Sequence, residues 1–237
     1  MGNSYIKQIG PAGGFLVSRT FQRQFREEWF DPAFWGARAA PVTRGGRGSA
    51  WFLRLDSGDL VLRHFRRGGV PGRFVRRGYL FTHADAVRSF AEFRLLDSLR
   101  QMGLPVPEPV AAGYQRDGSI FYRAAIIVRR IPGAKPLSEF ASSANLGCWQ
   151  SAGMCVRRFH DANVFHADLN LMNILVSDQV YLIDFDRGKI MPSAARSGWK
   201  ESNINRLERS VNKYLADLEV GLKVQLWEAF LRGYRGG

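Results

Sequence analysis

The fold is decided by the stretch His166-Ala-Asp168-Leu-Asn170-Leu-Met-Asn173-Ile-Leu-Val176, which a second stretch, Val180-Tyr-Leu-Ile-Asp184-Phe-Asp186, follows after a short turn. The apolar parts predict two short buried strands, 174–176 and 180–183, that form a hairpin. Polar residues are common at the ends of strands, so one interpretation is that the acids only mark the rims of this hairpin. The spacing of one His, one Asn and two Asp residues around it instead favours a catalytic loop followed by a metal-binding strand end.

Four polar residues of the two stretches have a predicted role in phosphoryl transfer. In the order His-x-Asp-x-x-x-x-Asn, Asp168 is expected to accept the proton of an acceptor hydroxyl and Asn173 to hold magnesium. Asp184 ends the second strand and is predicted to bind the metal that bridges the phosphates, with Asp186 as a helper ligand. His166 is expected to brace the loop by hydrogen bonds and not to act as the base. The two stretches therefore predict a phosphotransferase that uses ATP and Mg²⁺.

Residues upstream of the loop are those expected of an ATP-binding lobe. Gly45, Gly46 and Gly48 lie in a turn that runs into a strand, where backbone amides can approach phosphates without a side chain in the way. The spacing departs from Gly-x-Gly-x-x-Gly, and glycine-rich turns are also common between ordinary strands. In the next predicted strand, Arg63 takes the place of the lysine of kinases, and its fork can hold phosphate oxygens and a carboxylate together.

A helix predicted between Asp85 and Met102 supplies a carboxylate for this cation. Its apolar stripe comprises Val87, Phe90, Phe93, Leu96 and Leu99. Glu92 is the only glutamate in the segment, and the helix lies where the order of kinase elements requires it. We therefore expect an ion pair between Arg63 and Glu92, with a solvated Glu92 as the alternative.

Several further fragments accompany the catalytic loop: Phe30-Asp-Pro-Ala-Phe-Trp35, Gly45-Gly-Arg-Gly48, Leu62-Arg-His-Phe-Arg-Arg-Gly-Gly69 and Ile183-Asp-Phe-Asp-Arg-Gly188. Over nearly the whole chain, these fragments resemble the lipopolysaccharide-core sugar kinases of the protein-kinase-like superfamily. The run that begins at Leu62 narrows the resemblance to the kinases of 3-deoxy-D-manno-octulosonic acid (Kdo). Core heptose kinases resemble the chain less, since they usually have His at the position of Asn173. Aminoglycoside and choline kinases also resemble it less, since they commonly have His at the position of Asn170.

The resemblance implies an α+β, two-lobed protein-kinase-like fold, with a small antiparallel β lobe that carries one key helix and a mainly α-helical C-terminal lobe. Residues 1–237 are then a single kinase-like domain, with an N-terminal extension and ATP-binding lobe in 1–131 and the catalytic lobe in 132–237. The implied reaction is ATP-dependent phosphorylation of the Kdo 4-hydroxyl of a lipid A precursor in lipopolysaccharide core biosynthesis. Its implied place is the cytoplasmic face of the bacterial inner membrane. The same chemistry on a core heptose or a small molecule stays open, as does a pseudokinase that tethers a membrane assembly.

The charge of the chain favours an anionic partner. Its formal net charge is +13, and the segment from Leu60 to Ala84 contains arginines but no acid. The arginines are Arg63, Arg66, Arg67, Arg73, Arg76 and Arg77. This segment is expected to meet either the lipid A precursor or an acidic membrane surface, with solvated surface charge as the alternative. Nucleic acid is not expected, because no zinc-ligand set, ribonucleoprotein motif or helix-turn-helix pattern accompanies the charge.

The residues after Asp186 favour a small acceptor over a protein substrate. They lack an Ala-Pro-Glu signature, and only a short tail, predicted to be helical, remains. Basic and amide side chains follow the metal strand closely enough to line an acceptor pocket: Arg187, Lys189, Lys200, Asn203 and Arg206. Of these, Arg187 and Lys200 are the predicted acceptor contacts, with solvated surface as the alternative.

The N-terminal segment is rich in aromatic residues, and two interpretations of it remain open. Aromatic side chains between Phe21 and Trp35 are either part of the core of the small lobe or the apolar face of a membrane-interface helix, and the first helix is expected to end at Asp31-Pro32. No apolar run reaches the roughly 18 residues of a membrane span. Cys148 and Cys155 lie on a predicted helix and are expected to be buried thiols in a reducing compartment.

Overall fold

The computed structural model describes residues 4–42, 50–65, 79–194 and 198–236. The chain divides by internal contacts into two units, one of Met1–Asp97 with Glu108–Arg130 and the other of Ser98–Pro107 with Ile131–Gly237. Among the described residues, no helix is long and apolar enough to cross a bilayer.

The first unit contains one antiparallel sheet, to which the described residues contribute eight strands. They are β1 (Tyr5–Gly10), β2 (Gly13–Ser18), β3 (Ala39–Pro41), β4 (Ala50–Leu53), β5 (Leu60–His64), β6 (Tyr79–Leu80), β7 (Pro109–Asp117) and β8 (Phe121–Arg129). The order is β1-β2-β7-β8-β5-β4-β3, and β6 also pairs with β8. Strands β3 and β4 pair antiparallel. The predicted glycine turn, with Gly45, Gly46 and Gly48, lies outside the described residues.

The N-terminal aromatic segment packs into the core of this unit. Phe21, Trp29 and Trp35 are buried together with side chains of the sheet, which confirms the core interpretation for them. The segment before Asp31-Pro32 is not one helix but two separate 3₁₀ turns, Arg19–Phe21 and Glu27–Phe30. The second turn ends before Asp31-Pro32, as expected, and α1 (Pro32–Trp35) begins there. Oδ1 of Asp31 accepts the backbone N–H of Ala33 at 2.9 Å, and proline suits the first helical position because its missing N–H is not needed there.

The predicted long helix is present as α2 (Arg88–Gln101). The five apolar residues of its stripe, from Val87 to Leu99, are all buried. Within the first unit, Oγ of Ser89 donates to the backbone oxygen of Gly113 on β7 at 2.9 Å. The helix is thereby fixed against the sheet with its buried face inward, which sets the direction of Glu92.

The second unit is mainly helical. Its helices are α3 (Leu146–Asp161), α4 (Gly198–Tyr214) and α5 (Val220–Arg235), and its short strands are β9 (Lys135–Pro136), β10 (Val164–Phe165), β11 (Ile174–Val176), β12 (Val180–Leu182) and β13 (Lys189–Ile190). Strands β11 and β12 form the predicted hairpin. Helices α3 and α5 approach closely at Gly153 and Gly233, where an added Cβ would lie 2.0 Å from the backbone oxygen of Phe230 and 1.9 Å from that of Gln150.

The prediction that both cysteines are buried thiols is confirmed for Cys155 only. Cys155 is buried on α3, and burial raises the pKa of its thiol to about 12, whereas Cys148 is half-buried.

Candidate active site

The predicted catalytic loop lies between β10 and β11 in the second unit, and Asn170 organises it. A 3₁₀ turn, Leu171–Asn173, follows, and Oδ1 of Asn170 caps it by accepting the backbone N–H groups of Met172 at 2.9 Å and Asn173 at 3.2 Å. Nδ2 of Asn170 donates to the backbone oxygen of Asp168 at 3.0 Å and to its Oδ2 at 3.2 Å. Asn170 therefore fixes both the backbone and the carboxylate of Asp168.

His166 joins this loop to the end of β12. Nδ1 of the ring accepts the backbone N–H of Asp168 at 3.2 Å, and Nε2 lies 2.9 Å from the backbone oxygen of Ile183, which assigns the proton to Nε2. Burial lowers the pKa of the imidazole, although the hydrogen bond to Ile183 acts in the opposite direction. His166 is thus neutral and engaged at both nitrogens. The predicted bracing role is confirmed.

One face of α4 supports the backbone of the loop. Oδ1 of the buried Asn203 accepts the N–H of His166 at 3.2 Å, and Nδ2 of Asn203 donates to the oxygen of His166 at 2.9 Å. Two turns later, Oγ of Ser210 accepts the N–H of Leu171 at 2.9 Å. Residues three, four and seven positions apart lie on the same face of a helix, so α4 holds the loop at both of its ends.

The carboxylate of Asp168 itself remains accessible. Its side chain is 58% exposed, and Nη1 of Arg206, on the loop-facing side of α4, lies 3.0 Å from Oδ1. The carboxylate is therefore oriented by Asn170 on one oxygen and by Arg206 on the other. A carboxylate held in this way can take a proton from a hydroxyl group placed beside it.

The predicted metal ligands Asn173 and Asp184 are linked across the hairpin. The backbone N–H of Ile183 donates to the backbone oxygen of Asn173 at 3.0 Å, which ties the two ligand positions together. Nδ2 of Asn173 donates to the backbone oxygen of Asp168, also at 3.0 Å. The amide oxygen of Asn173 therefore points to the side away from that contact.

Asp184 has a backbone conformation that is rare outside glycine. Its φ is 62°, in the left-handed region, and such residues cluster at functional sites because they are kept only where the surroundings enforce them. The next residue, Phe185, is fully buried, with its ring 5.7 Å from that of Phe159 and 4.6 Å from that of His166. Packing of Phe185 thus holds Asp184 at the end of the strand, with Oδ1 shielded from solvent.

The donor atoms at this place fit magnesium. Asn173 has an amide oxygen, Asp184 and Asp186 have carboxylates, and hard oxygen ligands are those that Mg²⁺ prefers. Within the described part of the chain, no cluster of three or more His, Cys, Asp or Glu side chains forms a metal site. A magnesium ion held here would take further ligands from nucleotide phosphates and water, as is usual for this metal.

The first unit contains the predicted cation. Arg63 lies on β5 between Ala50 and Ile126, and its Nη2 is 2.6 Å from Oε1 and 2.5 Å from Oε2 of Glu92. Glu92 is only 3% exposed. The guanidinium carbon of Arg63 also lies 4.7 Å from the centre of the Phe65 ring. The expected ion pair is therefore formed, and the alternative of a solvated Glu92 is wrong.

The sequence of this chain is similar to those of known proteins over most of its length. Residues 32–234 match the Lipopolysaccharide kinase (Kdo/WaaP) family. The chain belongs to this family. A relative described as 3-deoxy-D-manno-octulosonic acid kinase, from Stenotrophomonas maltophilia (strain R551-3), is 46% identical over 212 residues, which are 88% of this chain and 84% of the relative. As a member of this kinase family, the chain is an ATP-dependent phosphotransferase, and the resemblance found in the sequence is confirmed.

Solved structures confirm the kinase-like fold of this lipopolysaccharide kinase family member. A structure described as WaaP in complex with acyl carrier protein covers 93% of this chain and 88% of its own, with a TM-score of 0.57 and 16% identity. An aminoglycoside-3'-phosphotransferase of type VIII covers 90% and 94%, with a TM-score of 0.56 and 15% identity. The predicted α+β, protein-kinase-like architecture is therefore correct.

The surroundings of the two predicted acceptor contacts, Arg187 and Lys200, do not show a role in acceptor binding. Arg187 is exposed in a tight turn with a φ of 61°, closed by a 2.8 Å hydrogen bond from the N–H of Gly188 to the oxygen of Phe185. Nζ of Lys200 lies 5.6 Å from the centre of the Trp199 ring in the first turn of α4. Both therefore remain predictions as acceptor contacts.

The sequence did not predict that Asn203 and Ser210 bind the backbone of the catalytic loop. Asn203 was grouped with residues lining a pocket but is buried behind the loop, and Ser210 was not singled out. The signal for both was present in α4, because they lie on the same helical face as the buried Leu207 and Val211. Polar residues on the buried face of a helix need buried partners, and here the partners are backbone groups of the loop.

Proposed function

We propose that this chain transfers the γ-phosphoryl group of ATP to the 4-hydroxyl of the Kdo residue of a Kdo-bearing lipid A precursor. The observation that carries the proposal is the 46% identity, over 88% of the chain, to a protein described as a Kdo kinase. The matched family region includes the whole loop from His166 to Asn173. The proposal is also supported by hydrogen bonds from Nδ2 of Asn173 to the backbone oxygen of Asp168 and from the N–H of Ile183 to the backbone oxygen of Asn173.

In the proposed reaction, Asp168 orients the acceptor hydroxyl. As the hydroxyl oxygen forms its bond to the γ-phosphorus, the bond from that phosphorus to the leaving oxygen of ADP breaks and the hydroxyl proton passes to Asp168. His166 has no part in this proton transfer, because its nitrogens are engaged with Asp168 and Ile183. The supports from Asn170 and Asn203 keep the carboxylate in place while the hydroxyl approaches.

Asn173 and Asp184 are the proposed magnesium ligands, and Asp186 is the helper ligand. When bound, Mg²⁺ neutralises the phosphate oxygens on which negative charge develops during transfer. The hydrogen bond between the Ile183 N–H and the Asn173 oxygen keeps the two ligand positions at a fixed spacing.

Residues 1–131 are the proposed N-terminal extension and ATP-binding lobe, and residues 132–237 the catalytic lobe, of one kinase-like domain. Arg63, paired with Glu92, is the proposed cation for phosphate oxygens, and Gly45, Gly46 and Gly48 are proposed to let backbone amides approach the triphosphate. An arginine has a permanent charge and five donors, so it can serve a carboxylate and a phosphate at once.

We place the protein on the cytoplasmic face of the inner membrane as a peripheral protein. The net charge of +13 suits an acidic leaflet, where each nearby Lys or Arg contributes about 1 kcal/mol of attraction. Arg187 and Lys200 are the proposed acceptor contacts. Neither nucleic acid nor a protein substrate is part of the proposal.

The test is phosphate transfer from γ-labelled ATP with Mg²⁺ to a Kdo-bearing lipid A precursor, in parallel with a heptose-bearing core and a soluble neutral sugar. We expect label on the Kdo lipid, at its 4-hydroxyl by mass spectrometry and NMR. Preferred transfer to heptose would make the chain a core heptose kinase, and equal transfer to the soluble sugar would remove the membrane assignment. Silence on all three acceptors would favour a pseudokinase that acts as a membrane scaffold.

A further inference from the structure

The loop-facing side of α4 presents one charged side chain to the catalytic carboxylate. Asn203 and Ser210 bind the loop backbone, and Arg206 lies between them in sequence and donates from Nη1 to Oδ1 of Asp168 at 3.0 Å. The side chain of Arg206 is 47% exposed. An arginine has five N–H donors in a rigid fork, so one contact with Asp168 leaves donors for another anion.

The backbone and Oδ2 of Asp168 are held by groups other than this cation, which contacts only Oδ1. Asn170 donates to its Oδ2 and its backbone oxygen, Asn173 donates to the same backbone oxygen, and His166 accepts its N–H. An ion pair as exposed as this one contributes little to stability. A guanidinium on Oδ1 also competes with an acceptor hydroxyl for the same carboxylate oxygen. The arginine is therefore better explained by an anion that binds beside the carboxylate.

We propose that Arg206 binds the carboxylate of the acceptor sugar, and that this exchange of partners releases Oδ1 of Asp168 for the hydroxyl to be phosphorylated. The proposal rests on the proposed Kdo acceptor. In the ring form of a 3-deoxy-2-ulosonic acid, the carboxylate is attached to C2 and the hydroxyl to C4, on either side of the deoxy carbon. One sugar therefore presents an anion and a hydroxyl to neighbouring groups, as Arg206 and Asp168 are neighbours here. Arg206 is then the residue that selects acidic sugars.

The experiment compares two acceptors and four proteins. The acceptors are the Kdo-bearing lipid A precursor and the same lipid with its sugar carboxylate converted to the primary amide. The proteins are the wild type, Arg206→Gln, Arg206→Lys and the control Arg209→Gln, whose side chain is exposed on the same helix. Initial rates give kcat and KM for the acceptor and for ATP, and thermal unfolding verifies that each variant is folded.

For the carboxylate acceptor we expect Arg206→Gln to raise KM by about 30-fold, the loss typical of a charge-assisted hydrogen bond, with KM for ATP unchanged. The wild type should show a similar rise with the amide acceptor, and Arg206→Gln should add little to it. Arg206→Lys should recover part of the loss, and Arg209→Gln should behave as wild type.

Several outcomes would overturn the proposal. Equal effects of Arg206→Gln on both acceptors, mainly in kcat, would make Arg206 a positioning residue for Asp168 alone. A rise in KM for ATP would assign Arg206 to the transferred phosphate instead. Transfer to the Kdo lipid with no preference for its carboxylate would end this inference and leave the proposed function intact. Absence of transfer by the wild type to either acceptor would end both.

Discussion

The cation site of the first unit and the catalytic loop of the second hold their charged groups in opposite ways. Glu92 is 3% exposed, and its two oxygens lie 2.5–2.6 Å from a single guanidinium nitrogen of Arg63. Asp168 is 58% exposed, and neutral groups of Asn170, Asn173 and His166 fix its backbone. A charge placed by a buried ion pair is coupled to folding, whereas a charge placed by a neutral scaffold is not.

This difference predicts where variants lose stability and where they lose only turnover. Removal of one member of a buried ion pair leaves an uncompensated charge and costs about 3–5 kcal/mol. Removal of an exposed charge changes the free energy of unfolding by about 0–1 kcal/mol. Substitution of the exposed Asp168 should therefore lower activity at nearly constant stability, whereas substitution of the buried Glu92 alone should lower both.

The largest effect is expected from Asp184→Asn, which should lower turnover by about 1,000-fold, because charge stabilisation by a metal ion is worth several kcal/mol. Asparagine tolerates the positive φ at this position, so the melting temperature should stay close to that of the wild type. Steady-state kinetics and thermal unfolding measure the two quantities. The control is Asp178→Asn in the hairpin turn, which should retain both, and near-normal turnover in Asp184→Asn would remove Asp184 from the metal site.

The next largest effect is expected from Glu92→Leu, which leaves the charge of Arg63 without its carboxylate and should cost about 3 kcal/mol of unfolding free energy. The double variant Arg63→Met with Glu92→Leu should recover most of that stability, because an apolar pair can replace a buried ion pair. It should not recover ATP binding, because the proposed phosphate-binding cation is absent. Urea unfolding and ATP titration test both points. A double variant that binds ATP as well as the wild type would show that the pair has no role in nucleotide binding.

A smaller effect is expected where the loop backbone meets α4. Asn203→Ala removes two hydrogen bonds to buried backbone groups of His166 and should cost about 2 kcal/mol, with turnover reduced about tenfold as the loop loosens. Ser210→Ala removes one such bond and should cost about 1 kcal/mol. Urea unfolding and kinetics of both variants test the neutral scaffold. Unchanged turnover in Asn203→Ala would show that the loop keeps its shape without α4.

The smallest effect concerns pH. His160 is buried between Tyr234 and Trp199, and burial lowers its pKa from 6.5 to about 4. The unfolded chain then binds a proton that the folded protein excludes, so stability is complete above pH 6.5 and falls as the pH drops towards 4. Lowering the pH from about 6.5 to about 5.5 should cost about 1 kcal/mol. His160→Gln should remove that part of the slope in urea unfolding, and an identical slope in both proteins would contradict the assignment.

The sequence predicted the parts of the site that depend on local spacing. The hairpin β11–β12, the buried stripe of α2 and the Arg63–Glu92 pair follow from periodicity and from the order of elements. Asn203 and Ser210 could not be assigned in this way, because each meets the loop across more than 30 residues of chain and no local pattern specifies that contact. In α5, Val224 is 50% exposed while Leu226 is in the core. Apolar residues two positions apart point to different faces of a helix, so the apolar run alone does not specify which of them is buried.

We propose that Asp168 takes part in the phosphate-transfer step and contributes neither to ATP binding nor to folding. The measurement is ATP affinity together with phosphate transfer to the Kdo-bearing lipid A precursor, for the wild type and Asp168→Asn. We predict an ATP dissociation constant and a melting temperature close to those of the wild type, with transfer reduced by about 1,000-fold, within the range of general base catalysis. Transfer within tenfold of the wild type, or loss of ATP binding in the same variant, would contradict the account.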